Sequence, residues 1–202
     1  MGTDIQIYAE VRKAGKWELA EPLEKIELWS DGFEMGIEWK PRELYSIRCR
    51  ALFAILANVS NPMHAVRPFE FISEPRGIPG DLSKELIDWY SRWKDDAFAG
   101  SWLLLEELLA FDWNGKRNQR RGLVDKTVAH LFKPGGGFPP HTEWPGGTIG
   151  IANQGFSPDL AEVTWIDTYA EAAGPEFMVH AMNKLRSYGP GRDVRIVFWF
   201  DA

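Results

Sequence analysis

The sequence predicts an α+β fold, with a mainly antiparallel sheet that contains the N- and C-terminal strands and with helices packed on one face. Three observations predict it. The chain opens on a strict polar/apolar alternation from Asp4, it closes on a run apolar on both faces, and the segments between repeat apolar residues every three or four positions. At 202 residues the chain is expected to form a single domain, residues 1–202.

From Asp4 to Val11, residues Ile5, Ile7, Ala9 and Val11 point one way, toward the core, and Asp4, Gln6, Tyr8 and Glu10 the other, as in a half-buried strand. Lys13-Ala14-Gly15-Lys16 supplies turn chemistry before Trp17 and Leu19, which predicts a hairpin. The stretch up to Trp39 is charged and poorly periodic. Pro41 then opens a helical pattern through Leu44, Ile47, Ala51, Leu52, Ile55 and Leu56, ending near Asn58. Residues 62–79 read as loop, and Leu82, Leu86, Trp89 and Trp93 as a second helix. Ser101 is expected to cap a third, with Trp102, Leu105, Leu108 and Leu109 on one stripe and Glu106 and Glu107 in water. Residues 134–147, rich in glycine and proline, form the one long irregular connection. Short strands are expected at residues 149–152 and 163–169. Gly174-Pro175 starts a helix with Phe177, Ala181, Leu185 and Tyr188 on one face. Val194 to Phe200 reads as a central strand.

Composition narrows the function classes. A formal charge of −6 and a pI near 5.3 repel phosphate backbones, so no extended nucleic acid is expected as a partner. No run approaches a membrane span and no basic leader opens the chain, so the expected location is the cytoplasm, the host's if the gene is a phage's. The single cysteine, Cys49, falls inside an apolar helical pattern and reads as a core residue.

Several segments carry a resemblance. Met1-Gly2-Thr3-Asp4-Ile5, Leu52 to Val59, Glu74-Pro75-Arg76-Gly77-Ile78-Pro79, Ser101-Trp102, Phe111-Asp112-Trp113 and the closing Val194 to Asp201 resemble a family of proteins encoded by phages and their bacterial hosts. The resemblance covers about half of the chain and implies no particular reaction. That family reads Met-Gly-x-Asp-Ile-His at its start and Asp-Gly-His-Ser-His before its Ser-Trp. Here Gln6, Phe98 and Gly100 stand where those histidines would be. Asp4 and Asp96 remain of what would be a metal or acid–base site in the relatives.

His64, His130, His141 and His180 lie at no metal-ligand spacing from one another, so no metal, cofactor or catalytic residue is assigned. Lys116-Arg117-Asn118-Gln119-Arg120-Arg121 is the densest basic cluster. It reads either as a loop gripping phosphates, with Trp113 stacking on a base, or as a solvated surface loop. Arg76, in a Pro-Arg-Gly turn before a helix, reads either as an anion ligand or as a tie to a carboxylate such as Glu74. Trp89, Trp93 and Trp102 fall on helix faces as core, while Trp113 and Trp144 fall in loops.

The expected function is a phage-associated binding protein that captures a small anionic ligand, such as a nucleotide, or a host protein. The candidate residues are Asp4, Gln6, Arg76, Asp96, Ser101, Trp113, Arg120 and Arg121 with the 134–147 loop. A hydrolase using Asp4, Asp96 and a divalent ion is the first alternative and a structural or assembly factor the second. A homodimer is among the assemblies considered.

Overall fold

The computed structural model describes residues 3–30, 33–61, 65–145 and 159–201. They form an α+β fold in two compact units: residues 1–49, 72–111 and 175–202 make the first, residues 50–71 and 112–174 the second. The strand expected at residues 149–152 and the end of the 134–147 loop lie outside the described residues.

The first unit is built on a four-stranded antiparallel sheet of β1 (Asp4–Lys13), β2 (Lys16–Leu19), β5 (Phe98–Leu104) and β8 (Val194–Asp201), in the order β2-β1-β8-β5. β1 and β2 form the expected hairpin, turned by Ala14 and Gly15, both at positive φ. β8 is interior and buried from Val194 to Phe200, because a strand apolar on both sides is stable only with both faces covered. On β1 the alternation is only half the story. Ile5, Ile7, Ala9 and Val11 are buried as expected, but Tyr8 and Glu10 on the other face are fully buried too. Helix α2 (Lys84–Tyr90) and the residues leading into it cover that second face: Leu82, before the helix, and Leu86, within it, pack with Tyr8, Val197 and Trp199, and Tyr8 stacks on Trp199 at 5.1 Å.

Three expectations are corrected here. The segment after Pro41 does not enter a helix until α1 (Arg50–Ala57). Leu44 N–H instead donates to Ile7 C=O at 2.8 Å and Tyr45 bridges Ile7, since the stretch of β1 beyond its pairing with β2 offers an open edge. Ser101 caps nothing. It is fully buried in β5, and α3 (Leu105–Ala110) begins after Leu104, whose N–H is held by the Glu107 carboxylate at 2.9 Å. The charged stretch before Trp39 is a second hairpin, β3 (Glu24–Ser30) with β4 (Phe33–Lys40). Helix α6 (Met182–Tyr188) follows a wider turn, Glu176–Ala181, and together they bury Phe177, Ala181 and Leu185 in the stripe the spacing predicts.

In the second unit, β6 (Arg117–Asp125) and β7 (Leu160–Thr168) pair over their whole length. Short helices α4 (Lys126–Ala129) and α5 (Tyr169–Ala173) follow them, capped by Asp125 and Thr168. Val124, Val128, Val163 and Trp165 form the core there, with Phe132, Phe138 and Trp144 packed against it.

Candidate functional site

The register of β1 against β8 sets Asp4 opposite Asp201 and Gln6 opposite Trp199, so Asp4, Gln6 and Asp201 share one face of the sheet. Around them lies a cleft of about 590 Å³ lined by Asp4, Ile5, Gln6, Glu43, Ser46, Trp93, Asp96 and Asp201. Glu43 and Ser46 flank Tyr45, which bridges β1, and Trp93 and Asp96 sit in the turn after α2, where Asp96 N–H donates to Trp93 C=O at 2.9 Å.

A chain of hydrogen bonds runs beneath the cleft. Trp89 Nε1–H donates to Tyr8 Oη at 2.7 Å, Tyr8 Oη–H donates to Gln6 Oε1 at 3.1 Å, and Gln6 Nε2–H donates to Asp201 Oδ2 at 3.2 Å. The chain fixes which way the Gln6 amide points, since its carbonyl accepts on one side and its amide donates on the other. Burial pushes the Tyr8 phenol well above its ordinary range, so it stays a neutral donor.

The cleft is acidic, and among the described residues no basic side chain is part of its lining. Asp4 carries a guanidinium clamp, from Arg48 Nε at 2.7 Å and Nη2 at 2.6 Å, which holds its pKa below the usual range. Glu43 is pushed upward by burial, against the pull of Lys40 at 3.7 Å. The indole N–H of Trp93 is buried without an acceptor. Among the described residues no three His, Cys, Asp or Glu side chains converge as a metal-ligand group.

Of the residues singled out in the sequence, Asp4, Gln6 and Asp96 therefore meet in one cleft. Phe98, at a position of the resemblance, faces the other side of the sheet: it is paired with Phe200, which lies opposite Ile5, and its ring lies 5.9 Å from that of Phe200. Gly100, in the irregular stretch of β5, is closed in by Ile78, whose Cδ1 would lie 2.7 Å from an added Cβ. Glu43, Ser46 and Asp201 were not singled out as candidates, and Trp93, read as core, lines the cleft. The bridge at Tyr45 brings in Glu43 and Ser46, the antiparallel pairing of β1 with β8 brings in Asp201, and the turn after α2 brings in Trp93.

The chain matches no model of a known protein family, no curated protein and no solved structure.

The remaining candidates do not gather there. Arg76 makes a two-pronged ion pair with Glu107, at 2.9 and 2.5 Å, and stacks on Trp102 at 4.8 Å, so the tie runs to Glu107 rather than to Glu74. Ser101 Oγ accepts from Arg76 N–H at 3.1 Å, which secures the turn before α2. In the second unit the basic cluster is strand β6, not a loop, and alternation sends Arg120 and Arg121 to opposite faces. Arg120 is held inward by Asp167 at 3.5 Å and lies over the rings of Phe69 and Trp165, whereas Arg121 is exposed. Trp113 is buried, its carbonyl accepting from Ala170 N–H at 2.9 Å, which removes it as a stacking platform.

Proposed function

We propose that the protein is a binding protein whose ligand is a small organic cation, seated among Asp4, Glu43, Asp96 and Asp201. The observation that supports this reading is the grouping of four carboxylates around a cleft of ligand size, about 590 Å³, in which Arg48 and Lys40 pair with Asp4 and Glu43 but leave Asp96 and Asp201 without a basic partner among the described residues. It keeps the expectation of a binding protein and reverses the sign of the ligand. A phosphate would meet like charge here, and Arg76 and Arg120 are engaged with Glu107 and Asp167. An ammonium group would find carboxylates as acceptors and the Trp93 ring as a wall that favours cations. Carboxylates spread around a rim suit an extended ammonium better than a bare metal ion, which needs its ligands converged.

The alternative of a divalent-ion hydrolase draws support from Asp4 and Asp96 lining one cleft. Titration calorimetry on the whole chain separates the readings. Spermidine binds and ATP does not, and Asp201→Asn and Asp96→Asn each weaken spermidine by roughly tenfold, the scale of one charge-assisted contact. Binding of ATP with no heat from spermidine overturns the proposal, and Mg²⁺-dependent phosphoester cleavage abolished by Asp96→Asn favours the hydrolase.

A further inference from the structure

The hairpin of β3 and β4 is a two-stranded sheet, and among the described residues neither strand is paired with a third. An isolated two-stranded ribbon is marginal in water, and an open edge is a template for another strand. Proteins blunt such edges with prolines, bulges or unmatched charge. β3 has no proline, and the irregularity at Leu28 and Trp29 places its extra residue, Met35, on β4.

The charge on β3 is matched to itself. Lys25 and Glu27 stand on either side of Ile26 with side chains 45% and 54% exposed, and they share the face that carries Trp39 and Ile37 of β4. If two β3 strands meet antiparallel with Ile26 opposite Ile26, Lys25 of each copy lies across from Glu27 of the other. Centring the pair on Lys25 or on Glu27 instead sets like charges face to face. Directly opposed charges stabilise or destabilise a sheet according to sign, so the pattern selects one register out of three.

We propose that β3 is a homodimer interface: two copies of the chain pair antiparallel about Ile26 into a four-stranded sheet of order β4-β3-β3-β4. The contact is isologous and closes on itself, so it ends at a dimer rather than a fibre. Two crossed ion pairs hold the register, Lys25 of one copy with Glu27 of the other and the reverse.

Sedimentation velocity of the full chain over a range of concentrations tests this with exposed substitutions that leave the core alone. Wild type dimerises, and Lys25→Glu and Glu27→Lys each raise the dimer Kd by roughly tenfold, because both crossed pairs become repulsive. The double variant Lys25→Glu/Glu27→Lys restores the dimer. An equimolar mixture of the two single variants forms a heterodimer, since one copy then carries two acidic residues and the other two basic ones. A wild type that stays monomeric, or single reversals that dimerise as well as wild type, overturns the proposal.

Discussion

Glu10 and Arg195 lie side by side on neighbouring strands, both almost wholly removed from water. Arg195 Nε–H donates to Glu10 Oε2 at 2.8 Å with Nη2 ion-paired to the same oxygen at 2.7 Å, Nη1–H donates to Asp81 Oδ1 at 2.8 Å and Nη2–H to Asp81 C=O at 3.2 Å, and the guanidinium lies 4.1 Å over the Trp17 ring. The second oxygen of Glu10 accepts Ser83 N–H at 2.7 Å just before α2, so every strong polar atom of the pair has work to do. Glu10→Ala leaves Arg195 buried and half-paired, and urea denaturation is expected to show a loss of about 3–5 kcal/mol. Asp81 is the exposed arm of the same cluster. The Arg195 hydrogen bond holds its carboxyl below the ordinary value of 3.8. A depressed carboxylate contributes stability that is complete above that ordinary value and is lost as pH falls through the folded-state value. Thermal melts of wild type should therefore fall on acidification below about pH 4, and those of Asp81→Asn should fall less over the same window. None of this was legible in the alternation of β1, which assigns Glu10 to a wet face. Alternation reports two faces but not whether a helix covers the second.

At the scale of elements, what could be read depended on how local the signal was. β1, β8 and the stripe of Phe177, Ala181 and Leu185 each carry their period in their own residues, and each is where the spacing put it. β3 and β4 interleave Glu24, Lys25, Glu27, Glu38 and Lys40 with their apolar positions, and a hairpin with so little buried area leaves a weak period. β5 passes into α3 through Leu103-Leu104-Leu105, a run that fits strand and helix equally, so the boundary is set by pairing with β8 and by the Glu107 cap. The start of α5 is a sequence signal of the readable kind. Thr168 Oγ1 accepts Glu171 N–H at 3.1 Å while the Glu171 carboxylate accepts Thr168 N–H at 2.7 Å. Thr168→Ala is expected to destabilise by about 1 kcal/mol, and Thr168→Ser by much less, in chemical denaturation followed by tryptophan fluorescence. The candidate site was readable only in part for the same reason. Asp4, Gln6 and Asp96 were candidates through the resemblance alone, while Asp201 enters the cleft through a pairing that spans most of the chain and Glu43 beside the bridge from Tyr45 to Ile7.

For the molecule as a whole, charge is divided unevenly. Residues of the second unit include eight basic and eight acidic side chains, so the entire formal charge of −6 belongs to the first, which holds the acidic cleft. A cationic ligand is then drawn by the field of the unit as well as by its contacts. Raising salt from about 0.1 M to about 1 M shortens the screening length from roughly 10 to 3 Å. Spermidine affinity should fall several-fold over that range when measured calorimetrically, and a rise would contradict an acidic site.

The strand order β2-β1-β8-β5 has a consequence in time. β8 is the last of the described strands to be synthesised, yet it stands between β1 and β5, which have no other link in the sheet. Until it emerges, β1 can offer only its hairpin with β2 and the bridge from Ile7 to Tyr45, while β6 and β7 already hold both halves of their ladder. Nascent chains arrested before residue 194 should protect the β6–β7 amides from hydrogen exchange and leave those of β5 open, because closure between segments so far apart in sequence is slow and waits for both to exist. During that interval the apolar face of β1 is a natural client for a chaperone.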